Sequence, residues 1–321
     1  MLFTITIPTY NRADTLAEVL RSLGQLRRPS DVEYEFLVVD NNSSDHTASV
    51  VEEFRPVLGP AFRSVFEPRQ GVSYARNRAL EEARGEVVCF IDDDGIADRN
   101  WLVAHMRAYQ SEQRAVAVGG RIWLRWPEGW SRPAWLPPQL EHYLSALDLG
   151  PERQLMRYPH HPYGCNMSVK LQFARDIGGF SVRLGRTGTD LISNEEQHFF
   201  RQVEEHGGLT LYEPEALVYH MVPVSRLSKR FFLQRAYAQG ISDALLKREI
   251  RGDALSRLSE ARRLLGGLKM LIGAGSRAVG ARVARADATA RFLTRARTAH
   301  AAGRVVGTAR LLGRQGWKGS A

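Results

Sequence analysis

The chain has 321 residues, of which 44% are hydrophobic, enough to bury one large core with or without an appendage. Its two cysteines, one of them inside an apolar run, argue against a disulfide framework and against a cysteine metal site. No apolar run approaches the roughly 18 residues of a membrane span, and the first residues lack the basic region of a signal peptide. These features predict a globular, cytoplasmic protein.

The net charge of +9 is concentrated at the C-terminal end. Residues 246–321 contain 17 Lys and Arg against 4 Asp and Glu, a charge of +13, which leaves −4 for residues 1–245. This tail predicts a basic helical extension lying on an anionic membrane surface, although solvated or oligomer-forming helices explain it nearly as well. Nucleic-acid binding is disfavoured because no recognised module is present. The apolar stripe of the tail and its basic neighbours are Leu258, Leu264, Leu265, Leu268, Leu271 and Ile272 with Arg257, Arg262, Arg263 and Lys269.

Residues 1–120 repeat a pattern of apolar strand, polar loop and amphipathic helix. This alternation, repeated every 25 to 30 residues, predicts a mostly parallel α/β sheet that binds a nucleotide at the carboxyl ends of its strands. The first strand is not followed by GxGxxG, which disfavours a dinucleotide-dependent dehydrogenase. Predicted strands cover residues 2–7, 35–39, 61–66 and 87–91, and predicted helices cover 14–26, a segment around 50–54, and 73–84.

Three consecutive carboxylates follow the fourth predicted strand. Asp92, Asp93 and Asp94 come directly after an apolar run that ends at Ile91. Carboxylates this close repel one another, so a divalent cation with a phosphate-bearing ligand is a natural neutralising partner at this edge of a sheet. A capped loop before the helix near Trp101 is the alternative, and the triplet alone leaves both open.

Residues 121–162 are rich in tryptophan and proline and have no clean periodicity. We interpret them as an ordered excursion over the cleft at the sheet edge. Aromatic faces suit a sugar ring or a lipid headgroup, and plain packing explains the cluster equally well. His160 and His161, near the end of this segment, receive no role. The tryptophans are Trp123, Trp126, Trp130 and Trp135.

A helix is predicted over residues 193–208, and another over 226–247. Asn194 and Gln197 have the spacing of a capping box, and two glycines end the first of these helices. Glu195 and Glu196 then lie in its first turn, where carboxylates are common because they offset the helix dipole. By themselves these two residues do not indicate catalysis.

Five motifs in fixed order resemble the inverting family 2 glycosyltransferases of the GT-A fold. The resemblance covers about residues 1–240. It implies a GT-A catalytic domain at 1–245, with a nucleotide-binding half at 1–120 and an acceptor and base half at 121–245, followed by the helical tail at 246–321. The motifs are IPTYNRADTLAEVLRSL, FLVVDNNSSDHT, GVSYARNRALEEARGEVVCFIDDD, NEEQHFFRQVEEHGG and ALVYHMVPVSR.

The resemblance implies a hexosyltransferase reaction in which a sugar moves from a nucleotide-diphosphate donor to an acceptor hydroxyl with inversion. UDP is the first expectation for the nucleotide, with GDP and dTDP open. The acceptor is expected to be a glycan, a lipid-linked saccharide or a small molecule, in surface polysaccharide, glycolipid or natural-product assembly. A cytoplasmic enzyme that is peripheral at the inner face of the plasma membrane would suit these acceptors.

The resemblance also implies roles for single residues. The base that takes the acceptor proton matches Glu196, where the family usually has Asp, and this departure leaves Glu195 as the alternative. The family's DxD falls on Asp92 and Asp94, which with His220 would hold Mn²⁺ or Mg²⁺. The residues expected to bind the donor are Thr9, Tyr10, Asn11, Asp40, Arg76, Asn77, Asp92, Asp93 and Asn166.

Two other functions compete with this interpretation. A nucleotidyltransferase on a similar sheet would need a phosphate loop rich in Gly and Lys near the N-terminus, which IPTYNR lacks. A catalytically silent scaffold that binds a nucleotide sugar or a glycan would not need the acidic triplet together with Glu196 and His220. Pyrophosphate release would indicate the first, and nucleotide binding without turnover the second.

Overall fold

The computed structural model describes residues 1–28, 32–188, 190–251, 264–266, 268–269, 271–273 and 287–313. Arg257, Leu258, Arg262 and Arg263 of the predicted tail stripe lie outside these ranges. The chain divides into two units. The first comprises Met1–Arg125, Ser145–Val182 and Glu195–Met221, and the second comprises Trp126–Leu144, Arg183–Asn194 and Val222–Ala321.

The first unit contains a mixed sheet flanked by helices. Its strands are β1 (Leu2–Thr9), β2 (Glu33–Asp40), β3 (Phe62–Phe66), β4 (Val87–Phe90), β5 (Gly95–Ala97), β6 (Ala115–Arg125), β7 (Gln154–Met156), β8 (Met167–Lys170) and β9 (Leu209–Met221). Its helices are α1 (Ala13–Gly24), α2 (Thr47–Leu58), α3 (Val72–Glu82), α4 (Trp101–Ser111), α5 (Leu171–Asp176) and α6 (Glu195–Glu205).

The strand order is β3-β2-β1-β4-β8-β6-β9-β5, with β7 paired to β9. Strands β1 to β4 are parallel to one another, whereas β8 runs antiparallel between β4 and β6. Thr9 at the end of β1 pairs with Asp40 at the end of β2, so the loops after these strands emerge at one edge. The mostly parallel sheet predicted from the sequence is confirmed, with antiparallel β5, β7 and β8 added to it.

Successive side chains of a strand point to opposite faces of the sheet, and apolar side chains form one buried layer on each face. Phe3, Ile5 and Ile7 of β1 belong to the cluster that includes α1, while Val88 and Phe90 of β4 belong to the cluster that includes α3 and α6. Each of these side chains is fully buried, which contributes about 1.5–3 kcal/mol per large apolar residue. The two layers hold the strand ends, and therefore the loops after them, in fixed positions.

The N-terminal end of α6 differs from its prediction. The helix begins at Glu195, two residues later than predicted, and Asn194 has a positive φ of 85°. The side chain of Asn194 donates to Asp243 and accepts from Gln239, so it does not form the predicted capping box with Gln197. Smaller shifts of one or two residues occur at the ends of α1 and α3.

The second unit contains α7 (Lys229–Arg251), α8 (Ala288–Gly313) and short 3₁₀ turns at Pro138–Leu144 and Val224–Arg226. Helices α7 and α8 pack closely because glycines lie where the two backbones meet. A Cβ on Gly303 of α8 would lie 1.9 Å from the carbonyl oxygen of Tyr237 on α7. Trp135 packs edge-on against Phe232 and Phe292, so this tryptophan has a packing role.

Leu265, Leu268 and Ile272 of the tail stripe are exposed. In the part of the chain that the structure describes, no helix is both long and apolar enough to span a bilayer.

Candidate active site

Asp93 anchors the loop that follows β1. Its Oδ2 accepts a hydrogen bond from Thr9 Oγ1 at 2.9 Å and from the Tyr10 backbone N–H at 3.4 Å. Arg12 Nη1 lies 3.5 Å from its other oxygen. Burial raises the pKa of Asp93 above its ordinary value, and the charge of Arg12 opposes this rise. Thr9 and Asp93, both expected to bind the donor, therefore bind each other and shape the loop.

Asp94 lies between a guanidinium and an imidazole. Arg12 Nη1 is 2.5 Å from Asp94 Oδ2, and His220 Nε2 is 3.2 Å from Asp94 Oδ1. His220 reaches this position from β9, where it pairs with Gly95 of β5. Arg12 was not among the predicted site residues, although a basic residue in the first loop opposite three carboxylates is a signal for such a contact.

The pair formed by Asp94 and His220 fits a hard divalent cation. A carboxylate oxygen and an imidazole nitrogen are a donor set that Mn²⁺ accepts, with water and phosphate oxygens completing the coordination. The imidazole Nδ1 of His220 is buried and lacks a hydrogen-bond partner among the described residues. Those residues also contain no group of three or more His, Cys, Asp or Glu side chains arranged to hold a metal ion. The predicted ligand triad of Asp94, His220 and Asp92 is therefore not assembled, because Asp92 is oriented toward Arg76.

Arg76 is the centre of the other half of the site. Its side chain is only 2% exposed, and its Nη1 lies 3.0 Å from Glu195 Oε1 and 3.1 Å from Glu196 Oε1. Its Nη2 lies 3.5 Å from Asp92 Oδ1, and its guanidinium lies over the ring of Phe180. Burial alone would lower the pKa of Arg76, but Glu196, Asp92 and Glu195 raise it above its ordinary value. The sequence predicts that Arg76 faces the nucleotide, and this stays a prediction; in the structure its guanidinium lies among the side chains of Asp92, Glu195 and Glu196.

The two glutamates at the start of α6 have opposite electrostatic environments. Burial raises the pKa of Glu195, and the charge of Glu196 raises it further. Burial also disfavours the charged form of Glu196, but the charge of Arg76 and a hydrogen bond from Glu195 lower its pKa below the ordinary value. Glu196 Oε1 also accepts a hydrogen bond from the Gly164 backbone N–H at 3.2 Å. The environment of this pair therefore favours the protonated form of Glu195 and the charged form of Glu196.

Gly164 must be a glycine in this arrangement. A Cβ at this position would lie 1.8 Å from Arg76 Nη2 and 2.7 Å from Glu196 Oε1. The backbone can therefore approach the ion cluster only where no side chain is present.

Two residues expected to bind the donor make hydrogen bonds within the protein. Asn166 is fully buried; its amide donates to the carbonyls of Arg121 and Ala216 and accepts from the Trp101 indole. The amide of Asn77 makes two hydrogen bonds of 2.8 Å with the backbone of Phe180. The amide oxygen and nitrogen of both residues are therefore engaged by the protein, and their contact with the donor stays a prediction.

The remaining predicted residues lie at the ends of β1 and β2. Asn11, with a positive φ of 51°, accepts hydrogen bonds from the backbone N–H groups of Ser44 and Asp45, and thereby joins the two loops. Asp40 accepts from the Ser43 backbone N–H at 2.9 Å. The ring of Tyr10 is exposed beside them, as a surface against which a planar base could stack.

The fold and the site define a class of protein. A mostly parallel sheet whose strand ends carry an acidic triplet, with a carboxylate pair at the start of a later helix, is the arrangement of a GT-A glycosyltransferase. Residues 4–174 match the sequence model of the family described as Glycosyl transferase family 2, and the chain belongs to this family. The resemblance seen in the motifs is thereby confirmed.

Two relatives match most of the chain. The succinoglycan biosynthesis protein ExoM of Rhizobium meliloti (strain 1021) is 28% identical over 237 residues, which cover 74% of this chain and 72% of ExoM. The glucosyl-dolichyl phosphate glucuronosyltransferase of Haloferax volcanii is 27% identical over 250 residues, which cover 77% of each chain.

Solved structures share the fold at lower sequence identity. The mannosyltransferase PcManGT of Pyrobaculum calidifontis, in complex with GDP-Man and Mn²⁺, is 22% identical with a TM-score of 0.62, over 95% of this chain and 86% of that one. The structure of GalNAc-T7 with UDP, GalNAc and Mn²⁺ is 17% identical with a TM-score of 0.55, over 82% of this chain and 54% of that one. Both confirm the GT-A fold.

Proposed function

We propose that this glycosyltransferase moves a sugar from a nucleotide-diphosphate donor to an acceptor hydroxyl with inversion at the anomeric carbon. The observation that carries the proposal is the bridge made by Arg76 between Asp92 and the two glutamates. One buried guanidinium thereby joins the acidic triplet at the end of β4, where the donor would bind, to an ionised carboxylate that can accept a proton. A donor site and a base within one side chain of each other are what a single displacement needs.

Glu196 is the base in this proposal. The acceptor hydroxyl gives its proton to Glu196, and its oxygen forms a bond to the anomeric carbon on the face opposite the diphosphate. The electron pair of the broken C–O bond leaves with the nucleoside diphosphate. Because there is one displacement and no covalent enzyme intermediate, the configuration inverts.

Glu195 and Arg76 keep Glu196 ready for this role. Burial favours the protonated form of Glu195, which then adds no second negative charge beside Glu196. The guanidinium of Arg76 and the N–H of Gly164 fix the orientation of the Glu196 carboxylate. Positioning of this kind is a large part of general-base catalysis.

The donor diphosphate is proposed to bind with Mn²⁺ or Mg²⁺, which Asp94 and His220 would hold and which would stabilise negative charge on the leaving diphosphate. The solved structures of PcManGT and GalNAc-T7, both containing Mn²⁺, support this choice. Arg12 provides positive charge at Asp94 in the protein alone. We propose that Tyr10 and Asp40 contact the base and ribose of the donor, which the exposed ring of Tyr10 supports.

UDP remains the first proposal for the nucleotide, with GDP and dTDP as alternatives. The named relatives act in succinoglycan biosynthesis and on a dolichyl phosphate-linked sugar, which supports a glycan or lipid-linked acceptor in polysaccharide or glycolipid assembly. We also propose a cytoplasmic, membrane-peripheral location and a domain boundary near residue 245.

The proposal is tested by thermal unfolding of the protein with UDP, GDP, dTDP and CMP, each with and without Mn²⁺. A nucleotide at about 100-fold excess over its dissociation constant stabilises by roughly 2.7 kcal/mol. We expect one nucleotide to stabilise the wild type in the presence of Mn²⁺ but not Asp94→Asn, whereas the exposed Asp14→Asn control behaves as wild type. Stabilisation by no nucleotide would contradict the proposal.

Turnover is then measured with sugars linked to the nucleotide identified in this way. Release of the nucleoside diphosphate together with an inverted product, assigned by the anomeric coupling constant in NMR, supports the proposal. Release of pyrophosphate would indicate nucleotidyl transfer. Tight nucleotide binding without transfer to any acceptor or to water would indicate a silent scaffold.

A further inference from the structure

A fully buried histidine with no part in the proposed reaction lies on α4, within the first unit. His105 has no exposed surface, and it lies between two polar side chains at the start of β8 and just before it. Its Nδ1 is 2.9 Å from Ser168 Oγ, and its Nε2 is 3.4 Å from Asn166 Oδ1. Both partners are also fully buried, so solvent does not compete for these hydrogen bonds.

The hydrogen bonds of this network have fixed directions. The Trp101 indole can only donate, and it donates to Asn166 Oδ1 at 2.8 Å. Because this oxygen accepts, His105 Nε2 carries the hydrogen, and in the neutral ring Nδ1 accepts from the Ser168 hydroxyl. The Tyr109 hydroxyl, 3.0 Å from Ser168 Oγ, then donates to it. Burial lowers the pKa of His105 to about 4, which favours the neutral ring.

Asn166 ends a tight turn and holds the backbone on both sides of it. Its backbone N–H donates to the Tyr163 carbonyl at 2.9 Å, and its carbonyl accepts from the Gly120 N–H at 3.1 Å. Its amide nitrogen donates to the carbonyls of Arg121 and Ala216, where the register between β6 and β9 shifts. The side chain therefore supplies hydrogen bonds at the point where the ladder between these two strands is interrupted.

The turn that Asn166 ends presents Gly164 to the proposed base. The Gly164 N–H donates to Glu196 Oε1 at 3.2 Å, and the Gly164 backbone packs directly against the Arg76 guanidinium. Only Cys165 lies between Gly164 and Asn166 in the chain. A change in the orientation of Asn166 is therefore transmitted to the N–H that the Glu196 carboxylate accepts.

We propose that His105 is a positioning residue for the general base. By donating to Asn166 Oδ1 it fixes this amide, and through the turn 163–166 it fixes the Gly164 N–H that orients the Glu196 carboxylate. The inference rests on the proposed function, because it identifies a residue that acts on the base of the same reaction. A purely structural histidine would change only the stability, whereas a positioning histidine changes kcat and the environment of the Gly164 N–H.

The Gly164 amide can be observed by itself, since Tyr163 and Gly164 form the only Tyr-Gly pair in the sequence. Labelling tyrosine with ¹³C at the carbonyl carbon and glycine with ¹⁵N leaves one signal in an HNCO spectrum. A hydrogen bond to a carboxylate moves an amide proton downfield, so Glu196→Gln should move this signal upfield. We expect His105→Asn to move it in the same direction and His105→Gln to leave it near its wild-type position.

The two His105 variants differ in the contact that they keep. Glutamine reaches as far as Nε2 of histidine and can donate to Asn166 Oδ1, whereas asparagine reaches only as far as Nδ1 and keeps only the contact with Ser168. In a transfer assay, we expect His105→Asn to lower kcat by about 10-fold to 10²-fold with KM for the donor unchanged, and His105→Gln to stay within about threefold of wild type.

The matched control is Thr4→Val, which removes the hydrogen bonds of another fully buried side chain, on β1. Thermal unfolding of each variant shows that it is folded and measures its loss of stability. We expect Thr4→Val to lose stability but to keep the wild-type kcat and the wild-type Gly164 signal.

Three results would overturn the inference: an unmoved Gly164 signal in His105→Asn, an equal displacement of this signal in His105→Gln, or an equal loss of kcat in Thr4→Val. If His105→Asn does not fold, Trp101→Phe, which removes the other donor to Asn166, is measured in its place with the same expected displacement. If the wild type transfers no sugar, the proposed function fails, and the Gly164 signal still decides whether His105 sets the position of this N–H.

Discussion

The two halves of the site each place one arginine among carboxylates, but they differ in exposure. Arg12 contacts Asp93 and Asp94 with a side chain that is 36% exposed, whereas Arg76 contacts Asp92, Glu195 and Glu196 with one that is 2% exposed. An exposed cation can be exchanged for another or hydrated when a ligand arrives. A buried one must stay, because its removal leaves several carboxylates unpaired in a medium of low dielectric constant.

In the proposed reaction, this difference separates a half of the site that receives new charge from a half whose buried arginine stays in place. In the proposed reaction, the half around Arg12 and Asp94 receives the donor diphosphate and its metal, which bring new charge with each cycle. In the half around Arg76, burial favours the protonated form of Glu195, and Glu196 is ionised until it takes the acceptor proton in the proposed reaction. The predictions below separate these two halves.

The largest effect is expected for Glu196→Gln. The amide cannot accept the acceptor proton, so kcat for transfer should fall by about 10²–10⁴-fold while nucleotide binding is unchanged. Initial rates of nucleoside diphosphate release with saturating donor measure this, with the exposed Glu53→Gln as control. Transfer within tenfold of wild type would show that Glu196 is not the base.

Removing the buried arginine should cost far more stability than removing the exposed one. We expect Arg76→Met to reduce the free energy of unfolding by about 3–5 kcal/mol, because three carboxylates lose their partner. Arg12→Met should cost about 1 kcal/mol, since solvent screens its ion pairs, and Arg78→Met on the same helix as Arg76 should cost no more. Urea unfolding measures all three, and equal losses would remove the distinction between the two halves.

The start of α6 shows what could be predicted from the sequence and what could not. The strands β1 to β4 and the first turn with Glu195 and Glu196 follow from local patterns of apolar and polar residues. Asn194 was misassigned because its partners Gln239 and Asp243 are more than 40 residues away. No local sequence pattern predicts a contact between residues so far apart in the chain.

The same reason explains why other contacts within the site could not be predicted from the sequence. Asn166 and Asn77 have the residue type and the position of ligand-binding groups, but their amides are engaged by backbone that only the folded chain brings near. Arg12 was missed because its carboxylate partners lie about 80 residues further along the chain. Family motifs predict which residues form the site, and tertiary contacts decide what each side chain touches in the folded protein.

A smaller effect, on pH dependence, is expected for Glu195→Gln. The folded state raises the pKa of Glu195 above its ordinary value of 4.5, so the stability from its protonated form is complete below that pH and is lost as pH rises through the raised pKa. Glutamine mimics the protonated form, so the variant should lose less stability between pH 5 and pH 8 than the wild type. Urea unfolding at both pH values measures this, and a steeper decline in the variant would show that Glu195 is ionised.

The smallest effect concerns the tail. If residues 246–321 bind anionic membranes, flotation with vesicles containing phosphatidylserine should recover the full chain, and neutral vesicles should not. Leu265→Glu combined with Ile272→Glu should reduce recovery several-fold, whereas Val57→Glu, which changes an equally exposed apolar residue on α2, should not. Equal recovery of the double variant at Leu265 and Ile272 and of the Val57→Glu control would argue for a solvated tail.

The division of the site is tested most directly by measuring two properties of the same two variants. Mn²⁺-dependent stabilisation by the nucleotide and the rate of sugar transfer are determined for Asp94→Asn and Glu196→Gln, with EDTA in place of Mn²⁺ as the metal-free condition. We predict that Asp94→Asn and EDTA abolish the stabilisation, and that Glu196→Gln keeps the stabilisation but loses transfer. Loss of both properties in both variants, with the protein still folded, would contradict a separate metal-donor half and base half.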